Sequence, residues 1–392
     1  MRGIVSDNKL VRIAGSEHTV DLPTTCAHVH RGSFRLNNHP LDRVAREPRT
    51  CIFEITRRCN LRCIHCENQC GEVSQRELST EQIRSVAREL VQLGCHHIEV
   101  TGGEPLLHPN WDGLCRDFAG VGLRTALITN GTLLDEERLA RAVDVGVAAV
   151  GISLDGLQAT HDRIRLRPGA GSSPWLETVA AIERALPRID TIVITAVNRL
   201  NLAELPVLRD HLASLGVRRW QIQLVIPMGR ALERAQSIAI APAELETLTA
   251  FLVEARASGK PPRIDVSDTI GYFTEREMGL RGSAGAPSLW TGCQAGIRAV
   301  AITYDGRVRG CSGMPPEFDA GDLHDESLTT IWNDAERFAY STRFDASKLA
   351  GPCGRCRVGP LCRAGCTTMA YWTTGSIYTN PFCLHRVRGV CA

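Results

Sequence analysis

Between residues 51 and 230, short runs rich in β-branched residues alternate with amphipathic stretches. Ile52–Thr56, His97–Thr101, Leu123–Thr129, Val147–Ser153, Thr191–Val197 and Trp220–Ile226 read as strands. The first intervening helix is the most sharply marked. Ser79-Thr-Glu-Gln82 forms a capping box, Ile83, Val86, Leu90, Val91 and Leu93 supply an apolar stripe, and Gly94 ends it. Further helical patterns fall near 111–119, 135–145, 175–186 and 202–214. Strict strand–helix alternation predicts parallel strands joined by right-handed crossovers. Six units fall short of the eight of a closed barrel. The expected fold is therefore α/β, an open, partial (β/α)6 barrel with its chemistry on the loops at the carboxyl ends of the strands.

Outside that region the pattern changes. Residues 1–50 are polar and irregular. Cys26, His28, His30 and His39 show no paired metal-ligand spacing. An ordered arm, a substrate-contacting segment and a disordered leader are all compatible with this stretch. Beyond 230, Pro242–Ala257 reads as a helix, Arg263–Val266 as a short strand and Gly279–Ala286 as a glycine-rich bridge. From 291, Ala299–Val308 forms a hairpin around Asp305-Gly306, and 327–340 is helical. The remainder reads as loop punctuated by cysteine. The expected organisation is an N-terminal arm (1–50), the barrel (51–230), a bridge (231–290) and a cysteine-rich domain (291–392).

Composition narrows the classes. Hydrophobic content of 43% and charged content of 22% describe an ordinary globular chain of 392 residues. A net charge of +2 without a basic run gives no sign of nucleic acid. No apolar run approaches the roughly 18 residues of a membrane helix, and the first residues lack a signal-peptide core. These features point to the cytoplasm and to no membrane partner. In that reducing compartment, sixteen cysteines argue for metal ligation over disulfides.

The cysteines are clustered. Cys59, Cys63 and Cys66 lie on one loop directly after the first strand. Three thiolates there can hold three irons of a [4Fe–4S] cluster and leave the fourth iron without a protein ligand. A zinc site would need a fourth ligand, and His65 lies inside the loop at the wrong spacing. One β/α unit later comes Thr101-Gly-Gly-Glu-Pro105. Its glycines allow close backbone approach to a ligand, and Glu104 offers a carboxylate to a cationic group.

Together these motifs, over roughly 51–230, resemble the radical S-adenosylmethionine (radical SAM) superfamily. The resemblance implies that Cys59, Cys63 and Cys66 ligate the catalytic cluster, whose fourth iron chelates S-adenosylmethionine. It implies that Gly102, Gly103 and Glu104 bind the ammonium end of that cofactor. Thr129-Asn130-Gly131 and Ser153-Leu-Asp-Gly156 end the next two strands, where the family contacts ribose and carboxylate. His161-Asp-Arg-Ile-Arg165 makes Arg165 a candidate carboxylate clamp, although a surface charge on a basic stretch would look the same. Glu67 departs from the aromatic residue that many relatives carry after the third cysteine.

The last third is similar to the seven-cysteine SPASM domain, a carrier of two auxiliary [4Fe–4S] clusters. Cys293 is followed by Gly306, Cys311, Cys353-Gly-Arg-Cys356, Cys362, Cys366 and Cys383. A double zinc ribbon would prefer eight ligands in paired sets. In the family the sets interleave, which implies Cys293, Cys311 and Cys366 on the first auxiliary cluster and Cys353, Cys356, Cys362 and Cys383 on the second. Residues 280–292 contain no eighth cysteine, so the first cluster has an open iron or a non-cysteine ligand. Cys95 and Cys115 read as core. Cys70 reads as a hydrogen-atom donor, a substrate contact or a packed residue.

The resemblance implies three [4Fe–4S] clusters, reductive cleavage of S-adenosylmethionine and removal of a hydrogen atom from an unactivated carbon. It implies an electron donor such as a flavodoxin or ferredoxin. The leading expectation is a maturase of a ribosomally made peptide or protein, forming a crosslink, an epimer or an oxidised side chain. The alternatives are a small-molecule enzyme, acting on a sugar, aminoglycoside or tetrapyrrole, and a non-catalytic iron–sulfur module. Retention of both the cysteine tripod and Gly102-Gly103-Glu104-Pro105 counts against the last.

Overall fold

The structure, a computed structural model, describes residues 10–12, 19–21, 39–72, 74–169, 171–282, 289–290 and 292–389. Cys26, His28, His30, Cys391 and the second half of the glycine-rich bridge (283–286) lie outside them. Two short strands, β1 (Leu10–Arg12) and β2 (Thr19–Asp21), pair antiparallel.

The β-branched runs become the strands β3 (Thr50–Glu54), β4 (His97–Thr101), β5 (Arg124–Thr129), β6 (Ala149–Ser153), β7 (Asp190–Val197) and β8 (Arg219–Leu224). All pair parallel in sequence order. The crossovers are α1 (Thr80–Gln92), α2 (Trp111–Gly120), α3 (Glu136–Asp144), α4 (Gln158–Ile164), α5 (Pro174–Ala185) and α6 (Leu205–Ser214). The capping box is present: the Gln82 N–H donates to Ser79 Oγ, and the Ser79 N–H donates to Gln82 Oε1 at 2.9 Å.

The parallel sheet is wider than the six expected strands. β9 (Arg263–Val266) adds to β8, and β10 (Ala299–Ile302) adds parallel to β3. β11 (Arg307–Arg309) and β12 (Gly321–Asp322) extend the β10 side antiparallel. The predicted hairpin around Asp305-Gly306 is thus part of the main sheet. It satisfies the β3 edge, whose backbone groups would otherwise be unpaired. β9 and β12 end the ten-stranded sheet, so the barrel stays open. The segment beyond Cys353 is also more helical than expected, with helices at Gly351–Arg355, Gly359–Cys362, Thr367–Thr374 and Leu384–Val387. Cysteine ligand spacing masked their short apolar patterns.

Strand alternation divides the sheet's two faces. Phe53, Val100, Leu127, Val150, Val193 and Trp220 are fully buried beneath the helices. Cys51, Cys95 and Cys115 share this core, as expected for the last two. The opposite phase, including Ile52, Glu54, Ser153, Gln221 and Gln223, lines a central cavity of about 670 Å³. No helix among the described residues is long and apolar enough to cross a membrane.

Phe53 packs against Phe118 of α2, ring centroids 6.2 Å apart. Phe53→Ala is expected to lower unfolding free energy in urea by about 3–5 kcal/mol. Ile52→Ala, on the cavity face, is expected to cost clearly less.

Candidate functional site

The cysteine loop is held in place by backbone contacts. Gly103 N–H donates to Thr56 O at 2.8 Å and Glu104 N–H to Arg58 O at 2.7 Å, which locks the turn after β4 onto the loop after β3. A Cβ on Gly103 would lie 2.1 Å from Arg58 O, and one on Gly102, at φ +146°, would lie 2.3 Å from Thr56 O. The two glycines are therefore required by the cysteine loop's own backbone, which refines their reading as a ligand approach. On the other side, Arg62 N–H donates to Leu166 O and Ile64 N–H to Ile164 O. Arg230 closes the loop from α7 (Arg230–Glu233), its Nε on Cys63 O at 2.9 Å and Nη1 on Cys70 O at 3.1 Å. Gly229 lets it approach, since a Cβ there would sit 2.0 Å from Glu67 O. Sequence reasoning missed Arg230; the glycine–arginine pair just after the sixth strand was the available signal.

Glu104 points into the protein. Its carboxylate accepts from Thr129 Oγ1 at 2.7 Å, Asn130 N at 2.8 Å and Leu106 N at 3.2 Å. Burial pushes its pKa up to about 7 against these bonds. Glu104 and Thr129 thus form a strut between the β4 and β5 loops. Asn130 continues it, donating to Asn60 Oδ1 inside the cysteine loop at 2.9 Å. Gly102, Gly103, Asn130 and Ser153 border the cavity.

Arg165 is not a surface charge. Its side chain is 12% exposed, borders the cavity, and donates through Nε to Asp155 Oδ2 at 2.7 Å. Its Nη groups make no bond to a described residue. Asp155 is fully buried. Burial works to raise its pKa, but Arg165, His65 and His161 outweigh that and hold it below the ordinary carboxylate value. His65, 3.4 Å from Asp155, is kept largely neutral by burial, with a pKa of about 4.

The three thiols of the loop face the cavity with Arg165. Burial pushes Cys59 up to about 11 and Cys63 up to about 12, while Arg165 pulls both down. Cys66 is held below the ordinary thiol value by a hydrogen bond with Cys70, which is buried and also borders the cavity.

The C-terminal cysteines separate into two groups. Cys293, Cys311 and Cys366 border the same cavity as the tripod. Cys353, Cys356, Cys362 and Cys383 line a second, small pocket beside Tyr272. The turn Cys362-Arg-Ala-Gly-Cys366 sends one thiol to each. Arg363, Ala364 and Gly365 take φ of +53°, +59° and +70°, a strained left-handed run for two of the three. It is held by Asn380 Nδ2 on Ala364 O and by Arg363 on Asp42. His39, a candidate in the N-terminal arm, is instead a structural cap that accepts from Leu41 N.

Among the described residues, no three His, Cys, Asp or Glu side chains converge on one ion-sized point. Every described cysteine is a free thiol. Sets of three or four soft donors around cavities, one with an arginine opposite, suit iron–sulfur clusters and a carboxylate-bearing cofactor.

Comparisons with known proteins agree with this donor chemistry. A family model described as the radical SAM superfamily matches residues 53–212, and one for the SPASM iron–sulfur cluster-binding domain matches residues 293–357. The AdoMet-dependent heme synthase of Methanosarcina barkeri is 30% identical over 354 residues, covering 86% of this chain and 97% of that protein. The PqqA peptide cyclase of Rhodopseudomonas palustris is 30% identical over 347 residues, covering 86% of each. Among solved structures, Streptococcus suis SuiB bound to S-adenosylmethionine superposes with a TM-score of 0.66 at 13% identity, covering 86% of this chain and 77% of that one. This last likeness is one of fold.

Gly103→Ala is expected to displace the cysteine loop and remove about four irons per reconstituted chain. Gly120→Ala, where a Cβ meets nothing within 4 Å, is expected to leave the iron content unchanged.

Proposed function

Because the chain belongs to the radical SAM superfamily, carries a SPASM domain and uses [4Fe–4S] clusters and S-adenosylmethionine, we propose that it removes a hydrogen atom from a ribosomally made peptide or protein segment. Cys59, Cys63 and Cys66 would hold the catalytic cluster. Cys293, Cys311 and Cys366 would hold the first auxiliary cluster, and Cys353, Cys356, Cys362 and Cys383 the second. When bound, the catalytic cluster and S-adenosylmethionine supply one-electron cleavage of the cofactor and hydrogen-atom abstraction from carbon.

The chain's own residues bind and orient. Arg165, fixed through Nε by Asp155, presents its Nη edge to the cofactor carboxylate. Gly102, Gly103, Asn130 and Ser153 shape the adjoining wall, and the Glu104–Thr129 strut fixes it.

The observation that carries the substrate reading is the cavity's charge. Apart from the Arg165 Nη edge, assigned to the cofactor, its described arginines have partners: Arg230 with loop carbonyls, Arg219 with Asp190 and Asp265, and Arg124 with Asp190. Glu54, Glu67 and Asp268 face the same space, as do the amides of Gln221 and Gln223. Such a lining suits a neutral or cationic side chain on a peptide backbone. It suits a macrocycle bearing several propionate carboxylates poorly. The open side of the barrel is a route for an extended segment. An electron donor of the flavodoxin or ferredoxin kind and a reducing, cytoplasmic setting complete the proposal.

A second reading, action on a tetrapyrrole, is favoured by the 30% identity to the heme synthase over nearly its whole length. Hydrogen transfer decides between them. Deuterium from a labelled precursor peptide is expected in 5′-deoxyadenosine, with a matching mass change in the peptide. Label arriving only from a tetrapyrrole, sugar or aminoglycoside would overturn the peptide reading. Separately, Arg165→Ala is expected to weaken S-adenosylmethionine binding by about 1.5–3 kcal/mol, measured by calorimetry on the reconstituted protein.

A further inference from the structure

The first auxiliary thiol set, Cys293, Cys311 and Cys366, has three members where a four-iron cube has four corners. A carboxylate from an element outside the SPASM match lies at the same cavity. Asp268 follows β9 and borders the same cavity as those three thiols. Two successive hydrogen bonds tie its backbone to Cys366. The Cys366 N–H donates to Tyr272 Oη at 3.0 Å, and that hydroxyl donates to Asp268 O at 2.9 Å. Tyr272 is fully buried and packs edge-on against Trp290, centroids 5.1 Å apart, so the link is rigid.

The rest of that loop is occupied within itself. Ser267 Oγ and Thr269 Oγ1 bond each other at 2.6 Å, and Thr269 Oγ1 accepts from Leu224 N. Arg281, the nearest cation acting on Asp268, is spent on Glu277 and Ile270 O. The Asp268 carboxylate alone makes no hydrogen bond or ion pair with a described residue. Asp268 is solvent-accessible and borders both this cavity and the groove beyond β9, so its carboxylate is free to take a metal ion.

We propose that Asp268 is the fourth protein ligand of the first auxiliary cluster, a carboxylate oxygen in place of the missing cysteine. This inference rests on the reading that Cys293, Cys311 and Cys366 hold a cluster. A carboxylate is a harder donor than a thiolate, so the site would differ in potential from an all-cysteine one.

The test uses the full-length chain with Cys59, Cys63 and Cys66 changed to Ala, reconstituted anaerobically and then mildly oxidised. Adding Asp268→Ala should release about one iron per chain and give the electron paramagnetic resonance signal of a three-iron cluster. Asp268→Cys should keep the four-iron form through the same oxidation, which also shows that the altered loop folds. Oxidation behaviour identical in the parent and in Asp268→Ala, with auxiliary iron present, would overturn the inference alone. If Cys311→Ala removes no iron from the parent, the underlying cluster assignment fails and the inference with it.

Discussion

The arrangement depends on one close backbone contact. The loop after β3 and the turn after β4 lie so near each other that Gly103 has no room for a methyl group against Arg58 O. Two hydrogen bonds fix that contact, and every thiol position in the tripod follows from it. Neighbouring loops then brace the same lattice. Glu104 joins β4 to β5, Asn130 reaches back to Asn60, the end of α4 pairs with residues 62–64, and Arg230 gathers the loop's carbonyls. A loop fixed from so many directions keeps its donor geometry without help from the sheet interior.

Charge is distributed to match. Asp155 and Arg165 form a buried pair at the cavity wall, with His65 and His161 held neutral around it. Such a pair contributes little net stability, and losing one partner would leave a costly buried charge. Its value is positional, since Nε is fixed and Arg165 borders the same cavity as the three thiols. Further along the wall, the cavity passes from tripod to first auxiliary set without a partition. The left-handed turn between Cys362 and Cys366 diverts the second auxiliary set into its own pocket.

Much of this was legible in the sequence. Six β-branched runs marked six strands because a parallel sheet buried beneath helices requires them. The three thiol groups came from the family resemblance and not from spacing, which would have kept Cys366 with Cys362, four residues away, although the two border different cavities. What escaped reading depends on long-range pairing. The β10–β3 ladder joins residues about 250 apart, so β9 and β10, although legible as a short strand and as part of a hairpin, gave no local sign that they extend the main sheet. The inward turn of Glu104 was hidden because its partners lie on the next strand. Arg165 could not be told from a surface charge until Asp155 was found beside it. The positive φ at Arg363 and Ala364 has no residue signature at all.

The central claim is that the tripod and the first auxiliary thiols hold iron on two walls of one cavity. Anomalous diffraction at the iron edge, on crystals of the anaerobically reconstituted chain, tests it directly. Three compact iron peaks are expected: two bordering the barrel cavity, at Cys59/Cys63/Cys66 and at Cys293/Cys311/Cys366, and one at Cys353/Cys356/Cys362/Cys383. A cavity with iron on one wall only, or single tetrahedral zinc ions at the C-terminal cysteines, would contradict it.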